Sequence, residues 1–440
     1  MKTKTLLLGF LLVALPALLM PVSVAAYDFE VDGIFYNING NEATVTYETM
    51  NYNSYTGEVT IPKTVAYDGK TYSVTTIGEY SFYNCTSLTN VTIPNSVTVI
   101  CWGAFEGCSG LTNINIPNSV TTILNSAFSG CSGLTHINIP YSVTIIGDDV
   151  FSNCTGLTSI YIPASVDYIG VSFNGCSNLT SITVSSDNER YDSRDNCNAI
   201  IETARNELFQ GCKTTVIPNS VTSINWAFAD CSELTYIEIP NSVTSINNCA
   251  FFNCTGLDNI VIPNSVTIIG EHTFEGCTGL KSINIPNSVT HIRLMAFSGC
   301  SGVTSVTIGN SVSYIGDEAF YGLSELSSVV CKATTPPYAL EYNFSAGSTS
   351  PYEIATLYVP AESIDSYRAH EEWGRFTHIV PFIGAGPGDV NGDGNISIGD
   401  VTNLIDMLIN GDAPAYYDVD GNGTVSIADI TTLIDMLLAQ

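Results

Sequence analysis

The sequence predicts a mainly β solenoid of about eleven coils, each about 23 residues long, followed by a small α-helical domain. Two observations lead to this expectation. Ten cysteines recur in similar contexts, and phenylalanines repeat with the same 23-residue step. Near the C-terminus, two twelve-residue loops rich in oxygen-bearing side chains begin at Asp389 and Asp418. A fixed period of roughly 20–50 residues is typical of solenoids, in which stacked coils share one core.

The composition limits the classes of partner. The chain has 440 residues, which is enough for two or three domains. It carries 42 acidic against 13 basic residues, a formal net charge of -29, and has no Lys or Arg after Arg375. Binding to nucleic acid or to an anionic membrane needs basic residues, so we expect neither kind of partner.

The N-terminus has the features of an export signal. Lys2 and Lys4 precede an apolar run from Leu6 to Met20, and small residues follow it. This run is too short for a comfortable membrane span. We therefore expect a signal peptide over residues 1–26, no membrane span, and a secreted or extracellular protein that associates with a cell surface only through a partner.

One repeat unit reads CSGLTNINIPNSVTTILNSAFSG, from Cys108 to Gly130. Within it, Leu111, Ile114 and Ile116 have the spacing of a strand whose apolar side chains point inward. We expect each such strand to pair with the strand of the next coil. Pro117 cannot donate to a strand ladder, so the strand ends there. Because a bare solenoid end exposes core and strand edges, we expect caps at both ends. The predicted parts are an N-terminal β cap over 27–73, repeats over 74–330 with an irregular insertion at 185–216, and a C-terminal cap over 331–383.

The pattern C-[ST]-x-L-T-x-I-x-I-P-x-S-V-T-x-I-G-x-x-A-F resembles the BspA-like leucine-rich repeats of secreted bacterial surface proteins. The resemblance covers roughly residues 59 to 330 and implies a leucine-rich repeat horseshoe. Residues 193–221 resemble a coil with an inserted hairpin, and residues 355–380 resemble the C-terminal cap of that family.

The periodic cysteines allow two interpretations. They form either disulfides, which an oxidising compartment permits, or a ladder of buried thiols that fill small apolar slots. The fixed period favours the ladder, because stacked neighbours would have to distort to bond. Cys197 and Cys212 flank the expected hairpin and are the candidate disulfide pair.

A long polar surface lies between the buried positions of the repeat strands, and we call it the polar face. It includes Asn113, Asn115, His136, Asn138, Tyr161, Tyr236 and Glu238. We expect it on the concave side, where Tyr161 and Tyr236 would stack on a sugar or anchor a protein partner. The alternative is that these residues only solvate the sheet.

The sequence does not predict an enzyme. It has five histidines, and the stretch HEEWGRFTH lacks the second histidine that a zinc-binding helix needs. No nucleophile or phosphate-loop motif occurs. Paired carboxylates for glycoside hydrolysis assemble in space rather than in sequence, so a polysaccharide-degrading hydrolase is the alternative from a different class.

The two C-terminal loops have the composition of calcium sites, which need six to eight hard oxygens. The first ligand set is Asp389, Asn391, Asp393, Asn395, Ser397 and Asp400; the second is Asp418, Asp420, Asn422, Thr424, Ser426 and Asp429. We expect two calcium ions and calcium-coupled folding, because the clustered carboxylates repel one another without metal.

Each loop ends on Asp and is followed by one helix, with no helix before it. This arrangement resembles the type I dockerin module, a paired F-hand loop-helix domain, here at 389–440 after a linker at 384–388. Dockerins bind cohesin domains of scaffold proteins in multiprotein, often polysaccharide-degrading, assemblies. The resemblance implies a cohesin-binding surface formed by Ile398, Gly399, Ile405, Asp406, Ile427, Ala428, Ile434 and Asp435. The near-identity of the two copies leads to the hypothesis that the module docks in either orientation.

The sequence therefore predicts a secreted, non-catalytic interaction protein. Its solenoid binds a protein or glycan ligand, and its calcium-dependent dockerin docks onto a cohesin. The alternatives are a glycoside hydrolase of the same kind of assembly, an adhesin whose dockerin is a structural tail, and a dockerin that pairs only within its own chain or with a second copy.

Overall fold

The computed structural model describes residues 26–49, 53–340, 342–346, 350–382, 398–410, 419 and 424–438. The predicted signal peptide, apart from Ala26, and the predicted linker lie outside them. The N-terminal region contains β1 (Phe29–Val31), β2 (Ile34–Asn39), β3 (Glu42–Thr46), β4 (Gly57–Thr60), β5 (Thr64–Tyr67) and β6 (Lys70–Ile77). β1, β2 and β3 pair antiparallel, whereas β3 pairs with β6 in parallel. The parallel pairing of β3 with β6 extends the strand ladder of the solenoid into the N-terminal region.

The first half of the repeats contains β7 (Leu88–Thr92), β8 (Val99–Ile100), β9 (Asn113–Asn115), β10 (Thr122–Ile123), β11 (Ile145–Ile146), β12 (Ser159–Ile162), β13 (Tyr168–Ile169) and β14 (Ser181–Val184). The two-residue strands pair in parallel, so Ile100, Ile123 and Ile146 lie in register from coil to coil. We call this side of the solenoid the ladder side. Each isoleucine is fully buried there, which explains why the repeat requires an apolar residue at this step.

The second half begins with β15 (Tyr191–Asp192), β16 (Ile200–Glu202) and β17 (Glu207–Gln210), which pair antiparallel. It continues with β18 (Ser223–Ile224), β19 (Ser245–Ile246), β20 (Ile268–Ile269), β21 (Ser282–Asn284), β22 (His291–Ile292), β23 (Ser305–Ile308), β24 (Tyr314–Ile315), β25 (Ser328–Cys331) and β26 (Tyr338–Ala339). β17 pairs in parallel with β18, so the ladder side restarts after the hairpin.

The C-terminal end of the solenoid contains α1 (Pro351–Ile354), β27 (Thr356–Pro360), α2 (Ile364–Ala369) and β28 (His378–Phe382), with 3-10 turns at Ala361–Ser363 and Trp373–Arg375. A further 3-10 turn lies at Arg194–Asn196. β25, β27 and β28 pair in parallel. The solenoid has about 13 turns rather than about eleven, because strands of both end regions add turns to the same ladders.

The strands on the polar-face side are less continuous than the repeat predicts. They form three separate sheets, β4-β7-β9, β12-β14 and β21-β23-β25-β27-β28. Residues 134–139, 234–239 and 257–262 belong to none of them. At these coils the backbone amides of Thr158 and Asp258 still bond to the coil before, each at 3.2 Å. The expectation that every strand pairs with the next is therefore wrong on this side.

Phenylalanines and cysteines fill the interior of the turns in stacks. The Phe rings of successive coils lie nearly parallel, with centroids 5.1 Å apart for both Phe251–Phe274 and Phe274–Phe297. The core consists of two clusters of buried residues, one running from Phe29 to Cys212 and the other from Cys197 to Ile379. They meet at the β15–β17 hairpin, which we call the seam.

The predicted docking region contains α3 (Ile398–Asn410) and α4 (Ile427–Leu438). Leu404 and Leu433 are fully buried and pack with Val401 in a separate small core. The leucines are 29 residues apart, so the sequence duplication places equivalent residues at the contact between the helices. These two helices support the candidate calcium loops and the candidate partner surface.

Candidate functional site

Part of each candidate calcium loop lies in the described residues. Asp400 closes the first loop and lies in the first turn of α3, and Thr424, Ser426 and Asp429 belong to the second loop. The remaining predicted ligands lie outside the described residues: Asp389, Asn391, Asp393, Asn395 and Ser397 of the first loop, and Asp418, Asp420 and Asn422 of the second. Their role as ligands stays a prediction.

The carboxylate of Asp429 is fixed inside its loop. Its Oδ1 accepts a hydrogen bond from the backbone amide of Val419 at 2.6 Å. Its Oδ2 accepts one from the amide of Ser426 at 2.7 Å. Val419 is the second residue of the loop, and Ser426 is the ninth. The closing carboxylate therefore holds the two ends of the loop together around its own oxygens.

Both closing aspartates are fully buried, at 0% exposure. A buried carboxylate is costly unless a cation or several hydrogen bonds compensate its charge. Between residues 379 and 440 the chain has nine aspartates and no Lys, Arg or His. The module itself has no basic side chain to compensate Asp400 and Asp429, so the donor set fits a hard cation such as calcium.

A matched row of exposed apolar side chains runs along each helix. On α3 the row comprises Ile398, Ile405 and Ile409, which are 79%, 37% and 76% exposed. On α4 it comprises Ile427, Ile434 and Leu438, at 76%, 40% and 81%. The steps of seven and four residues place each set on one side of its helix. We call these two sets the helix rows.

The predicted partner surface largely coincides with the helix rows. Ile398, Ile405, Ile427 and Ile434 belong to them, and Asp406, Ala428 and Asp435 are exposed beside them, whereas Gly399 is half-buried. The sequence interpretation missed Ile409 and Leu438, which extend both rows. Their 29-residue separation, the same as that of the loops, is a signal that would have identified them.

The seven residues named for the polar face are all exposed. Tyr236 and Glu238 line a cavity of about 360 Å³, together with Val216. In the next coils a cavity of about 520 Å³ is lined by Asn259, Asn264, Ser282, Asn284, Asn287 and Lys332, among others. The two cavities follow one another along the same side of the solenoid.

These cavities lie where the repeat strands are not paired. Among the described residues, no backbone hydrogen bond joins residues 259–262 to residues 282–285. The intervening space exposes amide and carbonyl groups beside the side-chain amides of Asn259 and Asn284. Such a surface can hydrogen-bond sugar hydroxyls or a peptide backbone.

The predicted Cys197–Cys212 disulfide is absent, because all fourteen cysteines are free. The Cys197 thiol lies 3.8 Å from the carbonyl oxygen of Ala199, and the Cys212 thiol lies 3.5 Å from that of Asn198. The two belong to different core clusters, each buried in its own half of the solenoid. The pairing prediction is therefore wrong in this structure, whereas the free periodic cysteines match the thiol ladder.

The histidine-containing stretch near the C-terminal end has a structural role. Nδ1 of His370 lies 3.2 Å from the amide nitrogen of Glu372, whose carboxylate is buried. That carboxylate accepts hydrogen bonds from the Tyr352 hydroxyl and from the amide of Asn343. Arg375 pairs with it at 3.1 Å. Burial lowers the pKa of His370. These contacts connect α1, α2 and the final turn, as a cap requires.

Comparisons with known proteins agree with both resemblances. The BspA type leucine rich repeat region matches residues 75–201 and 202–327, in six copies. The dockerin type I domain matches residues 387–438. The search of curated proteins found no match.

Solved structures of bacterial leucine-rich repeat proteins are similar. A leucine rich cell surface protein from Faecalibacterium prausnitzii is 31% identical, with 69% of this chain and 94% of that chain covered and a TM-score of 0.47. The pneumococcal vaccine antigen PcpA is 20% identical, with 80% and 98% covered and a TM-score of 0.60. A leucine-rich repeat protein from Eubacterium ventriosum is 24% identical, with 71% and 91% covered and a TM-score of 0.56.

Both matched domain types are non-catalytic. In the part of the chain that the structure describes, no helix is long and apolar enough to cross a membrane. The repeat match covers more than half of the chain, and the repeat and loop signatures agree with the geometry above. The chain belongs to the BspA-type leucine-rich repeat family and carries a C-terminal type I dockerin domain.

Proposed function

We propose that this protein is a secreted, non-catalytic component that docks onto a cohesin-bearing scaffold through the two helix rows. The rows support this proposal most directly. They offer six exposed aliphatic side chains in a module whose own small core is already formed by Leu404 and Leu433. Exposed apolar residues grouped in this way mark interaction surfaces.

Calcium has a positioning role in this proposal. When bound, two calcium ions supply the positive charge that the module lacks. Asp400 and Asp429 would close the two loops around them, with the other predicted ligands completing each set. α3 and α4 start within these loops. Closing the loops therefore fixes the position of the first residue of each helix row, Ile398 or Ile427. Docking therefore depends on calcium.

The solenoid is the ligand-binding part of the protein in this proposal. The polar face combines two adjoining cavities with exposed side-chain amides, Tyr236 and Glu238. Its lining is almost uncharged, which favours a neutral glycan or a polar protein surface over a highly charged ligand. The overall charge of -29 also opposes anionic ligands.

Replacing residues of the helix rows tests the docking surface. The variants are Ile398→Asp, Ile427→Asp and the double change in the full chain. If either helix can dock, each single change weakens cohesin binding by only about twofold, since one of two equivalent modes remains. The double change weakens it by more than roughly 30-fold, as hot-spot losses do.

The matched control is the pair Asn403→Ala and Thr432→Ala, which occupies equivalent positions on the two helices away from the rows. Titration calorimetry measures the affinity of every variant for a cohesin-bearing protein that the unchanged chain captures from a native secretome in calcium. Loss of binding from one single change would rule out docking in either orientation. Full binding by the double variant would rule out the helix rows as the docking surface.

A further inference from the structure

A cavity of about 160 Å³ opens on the ladder side at the seam between the two halves of the solenoid. We call it the seam pocket. Its lining includes Tyr168, Arg190, Glu202, Arg205, Glu207 and Trp226. It faces a different side from the polar face, and neither the repeat consensus nor the dockerin accounts for it. Charged residues make up only 12% of the chain, so four in one pocket are notable.

Side chains hold the backbone of the seam in place. The Tyr191 hydroxyl accepts a hydrogen bond from the amide of Ile169 at 3.3 Å, where the first ladder ends. Oε1 of Gln210 accepts bonds from the amides of Ser172 and Phe173 at 2.9 and 2.8 Å. These bonds replace the ladder bonds that the hairpin interrupts. The pocket is therefore built on fixed elements rather than on a loose loop.

Arginine and glutamate side chains form a network in the pocket. Glu202 lies between two arginines, 3.5 Å from Arg190 and 3.4 Å from Arg205. Glu207 accepts hydrogen bonds from Ser223 on β18 and from Asn225, which directly follows β18. The side chain of Arg205 is 71% exposed, so its guanidinium can donate hydrogen bonds to a ligand as well as to Glu202. Two positive and two negative charges balance, so the pocket offers both donors and acceptors without a net charge.

Two aromatic rings flank the charged network. Tyr168 is 43% exposed and Trp226 is 39% exposed. The backbone of Trp226 has φ 57, and the residue two before the stacked phenylalanine has a positive φ in the following coils as well, at Cys249 and His272. Ser126 has the same φ at the equivalent position of its coil, so the fold does not need an aromatic residue there. The conformation therefore belongs to the repeat, and it is the exposed indole itself that offers a binding surface beside the charged network.

We propose that the seam pocket binds a neutral oligosaccharide. The ring faces of Trp226 and Tyr168 suit the apolar faces of sugar rings, and the planar groups of Arg205, Glu202 and Glu207 suit sugar hydroxyls. The balanced charge gives no preference for an anion. This inference rests on the proposed function in taking the solenoid as the ligand-binding part, and it assigns a glycan to a second, separate surface.

Tryptophan fluorescence and affinity electrophoresis of the full chain test this site. The probes are cellohexaose, xylohexaose, mannohexaose and maltohexaose, with a galacturonate hexamer as the anionic arm. The first variant is Trp226→Ser, chosen because Ser126 occupies the equivalent position of an earlier coil. The second is Arg205→Gln, which changes an exposed side chain. Trp102→Ser, at an exposed tryptophan outside the seam pocket and the polar face, is the control, and Tyr236→Ala tests the polar face as the competing site. We expect at least one neutral hexamer to bind, with a loss of about tenfold or more in Trp226→Ser and a smaller loss in Arg205→Gln.

Several outcomes would overturn the proposal: no hexamer binds, only the galacturonate hexamer binds, or Trp226→Ser binds as the unchanged chain does. Loss of binding in Tyr236→Ala alone would place the glycan site on the polar face instead. Unchanged thermal unfolding of Trp226→Ser verifies that the variant folds. Cohesin binding by the same variant is expected to be unchanged, which separates a failure of this inference from a failure of the docking proposal.

Discussion

Cysteine thiols act as buried hydrogen-bond donors in the repeats. The thiol of Cys277 donates to the carbonyl of Phe251 at 3.1 Å, and Cys300 donates to Phe274 at the same distance. The same bond recurs from Cys108 to Cys176 in the first half of the solenoid. A small side chain with a weak donor fits this slot, which explains the period without disulfides. Burial makes the thiolate unfavourable and raises the pKa of Cys277 to about 12.

This pKa predicts that the buried thiols destabilise the fold in alkali. Between an ordinary pKa of 9.0 and about 12, the unfolded chain releases a proton that the folded chain keeps at Cys277. The free energy of unfolding therefore falls as the pH rises above 9, by about 1.4 kcal/mol per pH unit for each such thiol. Below pH 9 both states keep the proton, and the contribution is constant.

The variant Cys277→Ser keeps a donor that does not titrate in this range. We expect its free energy of unfolding in urea to fall less steeply between pH 9 and 11 than that of the unchanged chain. Thr278→Ser, at the next residue and with an exposed side chain that carries no thiol, is the control. If the free energy of unfolding of Cys277→Ser fell as steeply with pH as that of the unchanged chain, burial of the Cys277 thiol would not be a cause of the alkaline loss of stability.

At the scale of elements, the loop-helix units depend on their closing aspartates. Asp429 joins the second and ninth loop positions through two backbone amides and lies in the first turn of α4. Replacing it by Asn removes the charge while keeping the shape. We expect Asp429→Asn to weaken calcium binding at the second loop by more than roughly tenfold, which is at least the loss that an outer-shell change causes. The first loop should be unaffected.

Native mass spectrometry of the full chain counts the bound ions directly. We expect two calcium ions on the unchanged chain and on the control Asp435→Asn, which alters an exposed residue of α4 outside the loop. Under limiting calcium, Asp429→Asn should retain one. If this variant kept two ions with unchanged affinity, Asp429 would not be a ligand.

The elements also show which features the sequence could predict. Period and apolar spacing predict the ladder of Ile100, Ile123 and Ile146, because a residue that repeats in every coil has the same neighbours each time. The separate sheets on the polar-face side were not predictable, since Leu234 and Ile237 satisfy the same consensus as paired strands. The free state of Cys197 and Cys212 depends on which half of the core each side chain enters, and no local pattern encodes that choice.

At the scale of the whole molecule, the two parts of the chain have different chemistry. The solenoid is stabilised by stacked apolar residues and contains every Lys and Arg beyond the first few residues, whereas the docking module has nine aspartates and no basic residue. We therefore expect the stability of the module, and not that of the solenoid, to respond to calcium. In the docking proposal, this division allows calcium to switch docking while the solenoid stays folded.

The central claim is calcium-dependent docking onto a cohesin, and the most direct test is capture by the full mature chain from a native secretome. The capture is done in calcium and then in chelator, with the double variant Ile398→Asp/Ile427→Asp in parallel, and the bound proteins are identified by mass spectrometry. We expect a cohesin-bearing protein to be recovered by the unchanged chain in calcium, and to be lost both in chelator and with the double variant. Calcium binding without any calcium-dependent partner would contradict the claim and make the module a structural tail.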